Sequence, residues 1–220
     1  MKYTGVIFDF NGTLFWDTVL HNEAWQIFLD KYNLQISDEE MFRRFHGKNN
    51  RHILKEIFKG TLPEEQIPEL GVEKERIYQQ LCYKSGLTLA PGAVEFIELL
   101  ASRGVANTIA TSSGKENVDF YFDHLSLSRW FEYDKVVFDE GHFAGKPAPD
   151  IYLKAMSIIN RKPSEIIVFE DAVSGIQAAE NANAGCIIIV DSNDFDYSNW
   201  NWNYQKIKNF GEVRNIIDEN

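Results

Sequence analysis

The segment FDFNGTL, residues 8–14, sets the architecture of this chain. The apolar run Val6-Ile7-Phe8 leads into it and stops at the first acidic residue, Asp9. Asn11 and Gly12 follow directly, and this pair of residues is typical of a turn. A short apolar run that stops at a polar turn indicates a strand whose carboxyl end carries polar side chains.

Four further apolar runs repeat this pattern in the second part of the chain. They are separated by segments in which apolar residues recur every three to four positions, as they do in helices. Strands that alternate with helices of this length predict a parallel sheet built from βαβ units. The four runs are residues 106–110, 135–138, 166–169 and 186–190.

A long helical insert separates the first strand from the others. Between residues 17 and 87 the apolar positions follow helical spacing, and no segment has the pattern of a strand. We therefore predict an α/β protein with a Rossmann-like parallel-sheet core, residues 1–15 and 88–220, and an inserted all-helical cap domain, residues 16–87. The polar and aromatic stretch 191–203 is expected to be a surface loop.

Composition restricts the class of protein and of partner. The chain has 220 residues, of which 44% are hydrophobic, and a formal net charge of -11. This acidic balance repels phosphate backbones, so we expect no nucleic-acid partner. No apolar run approaches the roughly 20 residues of a spanning helix, and no signal peptide is recognisable. With Cys82 and Cys186 expected to be reduced, we predict a soluble, cytoplasmic monomer.

The candidate functional residues follow the predicted strands. In open parallel sheets, ligands bind beyond the carboxyl ends of the strands, and side chains from distant parts of the chain meet there. A lysine in the loop after the third strand belongs to the same edge. The candidate residues are Asp9, Asn11, Thr111, Ser112, Lys146, Glu170 and Asp171.

These residue types together suit phosphoryl transfer. Carboxylate oxygens without Cys or His ligands favour Mg²⁺. Asp9 can attack phosphorus and form an aspartyl phosphate, while Lys146 would offset negative charge. Thr111 and nearby backbone N–H groups could hold phosphate oxygens at a helix start. Phosphoryl transfer needs positioning and charge neutralisation above all.

Each of these features also has a purely structural explanation. Asn11 and Gly12 suit a turn, and Thr111 with its neighbouring serines suits a helix cap. Lys146 could be an ordinary loop lysine, and the acidic pair 170–171 could complement a helix dipole. Their occurrence together, each at a strand end or in the loop after one, favours a functional site.

The motifs at these positions resemble the haloacid dehalogenase superfamily, in particular its branch of phosphatases and β-phosphoglucomutase-like enzymes with a small helical cap. The resemblance extends over essentially the whole chain. It rests on FDFNGTL (8–14), ATSS (110–113), GKPAPD (145–150) and FEDAVSGIQAA (169–179).

This resemblance implies a role for each matching residue. It implies that Asp9 is the nucleophile that becomes phosphorylated, that Thr111 binds the transferring phosphate, and that Lys146 balances charge. Ser112 is expected to contribute to phosphate binding. The implied Mg²⁺ ligands are Asp9, the backbone carbonyl of Asn11, Glu170 and Asp171.

Asn11 departs from the pattern of the family. The phosphatases and mutases have an aspartate there that acts as general acid and base, and an amide does neither at physiological pH. General acid–base catalysis contributes typically about 10²- to 10⁴-fold, so we expect attenuated turnover. His21 matches a cap histidine that assists catalysis in mutase-type relatives, which makes it the candidate substitute. A plain position on the flank of a cap helix is its alternative.

Substrate selection in this branch resides in the cap. The segment 45–51 is the candidate specificity loop, and Gly47, Lys48, Asn50 and Arg51 are its candidate substrate-binding residues. A solvated helix start would explain the same residues. Mutase-type relatives place an arginine near this point, whereas Asn50 occupies the matching position here. Cap closure would exclude water from the site.

The resulting functional prediction is a Mg²⁺-dependent phosphatase or phosphotransferase that acts on a small phosphorylated metabolite, expected to be a sugar phosphate. The alternatives are a β-phosphoglucomutase-type isomerase and a phosphometabolite-binding protein of low turnover, which Asn11 supports. Carbon–halogen chemistry is disfavoured, because dehalogenase relatives usually lack the acidic pair found here at 170–171.

Overall fold

The computed structural model of the protein describes residues 3–200 and 202–213. Six strands form one sheet, in which each neighbouring pair runs parallel. The strands are β1 (Gly5–Phe8), β2 (Ala106–Gly114), β3 (Val137–Asp139), β4 (Ile166–Glu170), β5 (Cys186–Val190) and β6 (Gln205–Ile207). Their order across the sheet is β3-β2-β1-β4-β5-β6, so β1 lies in the middle. The predicted α/β fold is confirmed.

Eight α-helices accompany these strands in the part of the chain that the structure describes. The first four follow one another after β1, as predicted for the helical insert. The remaining four alternate with the strands. The helices are α1 (Thr18–Lys31), α2 (Asp38–Phe45), α3 (Asn50–Ile57), α4 (Ile67–Ser85), α5 (Ala93–Ser102), α6 (Lys115–Leu125), α7 (Asp150–Ile158) and α8 (Val173–Asn181).

Helices cover both faces of the sheet, because alternate residues of a strand point to opposite faces. Phe8 of β1 packs with side chains of α5 and α6 on one face, whereas Ile7 packs with side chains of α7 and α8 on the other. Phe8 stacks on Phe169 of β4, with ring centroids 5.3 Å apart. Burial on both faces explains why the strand sequences read as continuous apolar runs.

The inserted helices enclose an apolar cluster of their own. Trp25, Phe28 and Leu29 from α1 pack there with residues of α2, α3 and α4, including Leu54 and Ile67. This cluster lies within residues 16–87, the segment predicted to form a cap. The partition of the chain into a cap and a core stays a prediction.

Two features near the carboxyl ends of the strands differ from the sequence-based expectation. β2 was predicted to stop at residue 110, but it continues to Gly114, because Gly114 pairs with Asp139 of β3. The stretch 191–203 was expected to be a surface loop, yet its Tyr197 is buried and donates a hydrogen bond to the Asp171 carbonyl at 2.5 Å. The strand β6, which is short and largely polar, was not predicted.

Cys82 and Cys186 are both free thiols, the first buried and the second partly buried. Burial raises the pKa of the Cys82 thiol to about 12, so this thiol stays protonated at neutral pH. Across the described residues, every helix falls short of the length or apolarity that crossing a membrane requires.

Candidate active site

The carboxyl ends of β1 and β4 bring the predicted nucleophile and acidic pair together. The two strands pair in register at Phe8 and Phe169, so Asp9 follows one strand beside Glu170 at the end of the other. Lys146 lies between these two carboxylates, with its Nζ 2.5 Å from Asp9 Oδ1 and 2.5 Å from Glu170 Oε1. All three side chains are buried, which shields both ion pairs from solvent.

Asp171 completes a cluster of buried carboxylates. One oxygen atom from each of Asp9, Glu170 and Asp171 lies within 4.8 Å of the other two. Thr13 Oγ1 donates to Asp171 Oδ1 at 3.1 Å, and the backbone N–H of Ala172 donates to Glu170 Oε2 at 2.8 Å. These hydrogen bonds fix the direction in which the acidic pair points.

Helix α8 approaches this cluster so closely that its first turn needs a glycine. A Cβ atom at Gly175 would overlap Glu170 Oε1. Tyr152 of α7 donates to the same oxygen at 3.0 Å. The Glu170 carboxylate therefore fills a closely fitted space between two helices and the sheet.

The charges of the cluster are not balanced by the protein alone. Burial raises the pKa of Asp9 to about 8, against the lowering effect of Lys146. Burial and the neighbouring Glu170 hold the pKa of Asp171 well above its usual range. Burial alone would lower the pKa of Lys146, but Asp9 and Glu170 outweigh it and raise this pKa above its ordinary value. Three carboxylates thus face one ammonium, and an all-oxygen set of this kind suits a hard divalent cation.

The hydroxyl residues at the end of β2 face the same space. Thr111 is buried, its Oγ1 donates to Asn11 Oδ1 at 3.3 Å, and it accepts from the backbone N–H of Ser113 at 3.1 Å. Ser112 Oγ instead donates to the carbonyl of Gly47 in the cap, at 2.9 Å. The two residues predicted to bind phosphate therefore differ. The Thr111 hydroxyl faces the site, whereas the Ser112 hydroxyl binds the cap.

Both the nitrogen and the oxygen of the Asn11 side-chain amide make hydrogen bonds. Its Nδ2 donates to Asp17 Oδ2 at 2.6 Å and to the Tyr121 hydroxyl at 2.8 Å. Its Oδ1 accepts from Ser113 Oγ at 2.8 Å. This environment calls for a donor and an acceptor on one side chain, which an amide supplies and a carboxylate does not.

His21 joins the same network from helix α1. Its Nε2 lies 3.3 Å from Asp17 Oδ2, its Nδ1 lies 2.8 Å from Lys74 Nζ, and its ring stacks on Tyr78 with centroids 3.8 Å apart. Because an ammonium only donates, we assign the accepting role to Nδ1 and the proton to Nε2. His21 and Asn11 therefore both contact the Asp17 carboxylate.

Asp17 stays ionised although it is fully buried. Burial by itself would raise its pKa, but the electrostatic contact and hydrogen bond of His21 and the hydrogen bonds from Tyr78 and Asn11 lower it below the usual value. Its second oxygen accepts from the backbone N–H of Gly12 at 3.0 Å. The Asp17 carboxylate is thus the fixed centre of the network.

A cavity of about 180 Å³ lies between the sheet edge and the inserted helices. Its size suits a small metabolite rather than a macromolecule. The core contributes Asp9, Asn11 and residues 111–114 to its lining, and the inserted helices contribute most of the remainder. Lining side chains from the helices include His21, Trp25, Phe45, His46, Asn50, Lys74 and Glu75.

The loop between α2 and α3 is docked directly on the acidic cluster. His46 Nε2 lies 3.3 Å from Asp171 Oδ2, and Ser174 Oγ donates to the His46 carbonyl at 3.0 Å. A Cβ atom at Gly47 would come within 2.6 Å of both Ala172 Cβ and Ser174 Oγ. The cap therefore touches the loop that carries the acidic pair.

The predicted substrate-binding residues of this loop all line the cavity but differ in their contacts. Asn50 Nδ2 donates to Glu75 Oε1 at 2.6 Å. Lys48 Nζ lies 3.0 Å from His52 Nε2. The Arg51 guanidinium pairs with Glu64 at 2.5 Å, and more than half of its side chain is exposed. The charge of Arg51 is thus directed to the outer surface.

Several residues of the site were not identified from the sequence. Asp17 precedes His21 by four residues on a predicted helix, and this spacing could have revealed the pair. Ser113 adjoins the predicted hydroxyl residues. The cap residues gave no signal, because helical periodicity does not tell which polar positions face a cavity. The residues missed are Asp17, His46, Lys74, Glu75, Tyr78, Ser113 and Tyr121.

Comparisons with known proteins agree with this architecture. The family model of the haloacid dehalogenase-like hydrolases matches residues 3–183. A solved structure of a HAD hydrolase of family IA, variant 3, from Entamoeba histolytica is 34% identical, with a TM-score of 0.85, over 95% of this chain and 94% of that one.

Two curated relatives are similar over most of their lengths. A phosphorylated carbohydrates phosphatase of Thermotoga maritima is 29% identical, over 80% of this chain and 80% of the relative. A β-phosphoglucomutase of Mycobacterium bovis is 25% identical, over 85% of this chain and 80% of the relative.

Proposed function

Because this chain belongs to the haloacid dehalogenase-like hydrolases and is a phosphatase or phosphomutase of that family, we propose that it is a Mg²⁺-dependent phosphatase of a small phosphorylated sugar. The observation that carries the proposal is the buried Asp9 carboxylate, placed between Lys146 and two further carboxylates at one end of a small cavity. The sugar is proposed from the relative that dephosphorylates carbohydrates.

The acidic cluster is the proposed metal site. Asp9, Glu170, Asp171 and the backbone carbonyl of Asn11 would hold Mg²⁺, in keeping with the oxygen-only donor set and its excess of negative charge. When bound, Mg²⁺ supplies positive charge that stabilises the phosphoryl oxygens during transfer. Lys146 supplies the remaining positive charge and orients Asp9.

Hydrolysis would proceed in two displacements on phosphorus. First, a carboxylate oxygen of Asp9 attacks the phosphorus, and the bond from phosphorus to the sugar oxygen breaks. That oxygen keeps the electron pair and takes a proton. Next, a water oxygen attacks the phosphorus, the bond to Asp9 breaks, and the water gives up a proton. Thr111 would bind a phosphoryl oxygen in both steps.

His21 is the proposed proton donor and acceptor, since Asn11 cannot fill that role. Its imidazole lines the cavity, and 20% of its side chain is exposed. Asp17 and Lys74 hold its two nitrogens in one orientation. To act, its Nε2 must exchange the Asp17 contact for the substrate or water. When Nε2 gives up its proton, Nδ1 takes one from the Lys74 ammonium, and when Nε2 takes a proton, Nδ1 returns one to Lys74.

Hydrolysis is favoured over the phosphomutase alternative by position 50. An isomerase must hold a second phosphate in the cap, and relatives of that type use an arginine. Here the amide of Asn50 is directed to Glu75, and the charge of the neighbouring Arg51 is directed to Glu64.

A burst experiment with excess substrate tests the proposal and separates it from a binding protein of low turnover. Release of the aryl alcohol from an aryl phosphate is followed by quenched flow with Mg²⁺, for the natural protein and for Asn11→Asp. We expect a stoichiometric burst followed by slow turnover in the natural protein. Asn11→Asp should raise the steady rate by about 10²-fold or more, because general acid–base catalysis contributes this much.

The structure gives a reason for this gain. The introduced carboxylate would lie beside Asp17 Oδ2, where Asn11 Nδ2 now lies at 2.6 Å. Two carboxylates at that separation share a proton, so the new group would start protonated, as a general acid must. The absence of a burst in both proteins, and with a panel of sugar phosphates, would contradict the proposed phosphatase.

A further inference from the structure

Glu75 is a partly buried carboxylate in the wall of the cavity that the proposed mechanism does not use. It lies on α4, and only 15% of its side chain is exposed. It lines the same cavity as Asp9 and Thr111. Since the reacting phosphate must lie at Asp9, the rest of a substrate extends toward the inserted helices and Glu75.

Three helices hold the Glu75 carboxylate in place. Its Oε1 accepts from Asn50 Nδ2 of α3 at 2.6 Å and from Lys74 Nζ of α4 at 3.0 Å. Its Oε2 accepts from Asn117 Nδ2 of α6 at 2.8 Å. A carboxylate offers about four acceptor positions, so these three donors leave room for one more hydrogen bond. The group cannot turn away from a ligand without losing these partners.

Glu75 is negatively charged at neutral pH. Burial would raise its pKa, but the Lys74 ammonium, the nearby His21 and the hydrogen bonds from Asn117 and Asn50 lower the pKa below its usual value. Lys74 is itself fully buried and also lies 2.8 Å from His21 Nδ1. The charge of Glu75 therefore cancels the attraction that Lys74 would otherwise exert on an anion.

The other cations of the cavity lining do not replace Lys74. The Arg51 guanidinium pairs with Glu64 at the outer surface, and Lys48 Nζ lies against His52, half of whose side chain is exposed. A second phosphate at this end of the cavity would lose its hydration and gain no uncompensated buried cation. Burying a charge without such compensation is strongly unfavourable.

Resting on the proposed phosphatase function, we propose that Glu75 determines the substrate class: it admits sugar monophosphates, whose hydroxyl groups can donate to it, and rejects sugars that carry a second phosphate. The single carboxylate does both, because it accepts a hydrogen bond from a neutral hydroxyl and neutralises the ammonium that would attract an anion.

The test compares fructose 1-phosphate with fructose 1,6-bisphosphate, which share one phosphate ester. We expect the natural protein to favour the monophosphate in kcat/KM by on the order of 10²-fold, the size of a like-charge penalty in a buried site. In Glu75→Gln this ratio should fall about 10-fold or more, mainly through a lower KM for the bisphosphate, because Lys74 is then unmasked.

Two further variants separate charge from structure. Glu75→Asp keeps the negative charge, so it should keep the preference for the monophosphate. Glu73→Gln removes an acidic residue from the outer side of the same helix, where Glu73 pairs with Lys31, and should leave the ratio unchanged. An unchanged ratio in Glu75→Gln, or equal use of both sugars by the natural protein, would overturn the role of Glu75.

A binding measurement tests the role of Glu75 independently of the phosphatase proposal. Isothermal titration of both sugars into Asp9→Asn, with and without Glu75→Gln, gives the ratio of Kd values in the absence of turnover. If the natural protein hydrolyses neither sugar, the panel of sugar phosphates decides the phosphatase proposal, while the ratio of Kd values still decides the role of Glu75. If the ratio of Kd values does not respond to Glu75→Gln, the proposed role is wrong even in an active enzyme.

Discussion

Asn11 shows how one side chain can be fitted to its surroundings and still depart from the pattern of its family. Its amide donates to the ionised Asp17 and accepts from Ser113, so both halves are satisfied. A buried carboxylate such as Asp17 needs donors, and Asn11 is one of them. The structure around position 11 therefore accounts for an amide as the resident side chain.

At the same scale, Gly175→Ala should damage the acidic cluster. The added Cβ would overlap Glu170 Oε1, which is held by Lys146 and Tyr152 and has no open space to enter. We expect a loss of about 1–3 kcal/mol in the free energy of unfolding without metal, as for other overpacked cores. Mg²⁺ affinity should fall about 10- to 100-fold, as it does when residues that orient the metal ligands are mutated. Chemical denaturation and calorimetry measure the two effects.

Gly71→Ala is the matched control, since this glycine also lies in a helix. A Cβ atom there would meet only Asn50 side-chain atoms, at 3.7 Å or more, which is ordinary van der Waals contact. It should leave stability unchanged or raise it by about 0.5–1 kcal/mol, because alanine favours helices over glycine. Equal effects of the two substitutions would contradict the close fit around Glu170.

At the scale of the elements, the site is a product of strand register. β1 lies between β2 and β4, so the residues that end these three strands meet at one edge. The backbone N–H of Asp9 donates to the Phe169 carbonyl at 2.9 Å, which continues the ladder beyond β1. A shift of one residue in this register would turn Asp9 away from Glu170.

The meeting of these carboxylates at one sheet edge predicts how the free energy of unfolding depends on pH when a chelator has removed divalent cations. The pKa of Asp9 is about 8 in the folded protein against its ordinary value of 3.8, so between these values the folded state binds more protons. Stability from this group therefore falls as pH rises. His46, with a pKa lowered by burial to about 4, acts in the opposite direction up to its ordinary value of 6.5. The net loss should appear between about pH 6.5 and pH 8, by roughly 1–2 kcal/mol.

Scanning calorimetry with and without Mg²⁺ checks this prediction. Mg²⁺ should raise Tm more at pH 8 than at pH 6.5, because it must displace protons from the carboxylates at the lower pH. Asp171→Asn removes one of the repelling charges and should flatten the pH dependence of the metal-free protein. A metal-free protein that gains stability from pH 6.5 to pH 8 would contradict the assigned charges.

At the scale of the whole molecule, polar contacts across the cavity join the cap to the core, in addition to the apolar packing of Ala24, Tyr78 and Cys82 with core residues. Ser112 and Ser174 donate to the carbonyls of Gly47 and His46, and α4 is joined to α6 by Gln79 Nε2, which donates to Asn117 Oδ1 at 2.9 Å. These contacts lie on both sides of the cavity. The structure therefore has the cap seated on the core.

Gly47→Ala should prevent this seating. Gly47 has a φ of +77°, and its Cβ would come within 2.6 Å of Ala172 Cβ and Ser174 Oγ. We expect kcat/KM to fall about 10-fold or more, since a cap that does not close leaves the site open to water. Steady-state kinetics with a sugar phosphate and a thermal melt provide the measurement.

Gly60→Ala supplies the comparison. Gly60 is also in the inserted helical region, with a φ of +71°, but nothing lies within 4 Å of a Cβ placed there. Both substitutions should cost about 1–2 kcal/mol of backbone strain, whereas only Gly47→Ala should reduce kcat/KM. A similar loss of kcat/KM in both variants would mean that the cap contacts at Gly47 are dispensable.

The sequence alone determined the fold class and the core of the candidate site. Continuous apolar runs at β1, β4 and β5 identify buried parallel strands, because both faces of such strands need apolar side chains. The polar residues directly after these runs are then brought together by topology. Asp9, Thr111, Lys146 and the acidic pair 170–171 follow from this local information, since strand ends are encoded by neighbouring residues.

Only the tertiary structure decided which cap residues take part in the site. Helical periodicity identifies the buried face of α4, but it does not distinguish Lys74 and Glu75, which face a cavity, from Glu73, which faces Lys31 at the surface. The network of Asn11 with Asp17 and Tyr121 likewise joins residues that are distant in sequence. Such contacts depend on how the inserted helices are seated on the sheet, and that is settled by packing between elements rather than by any local pattern.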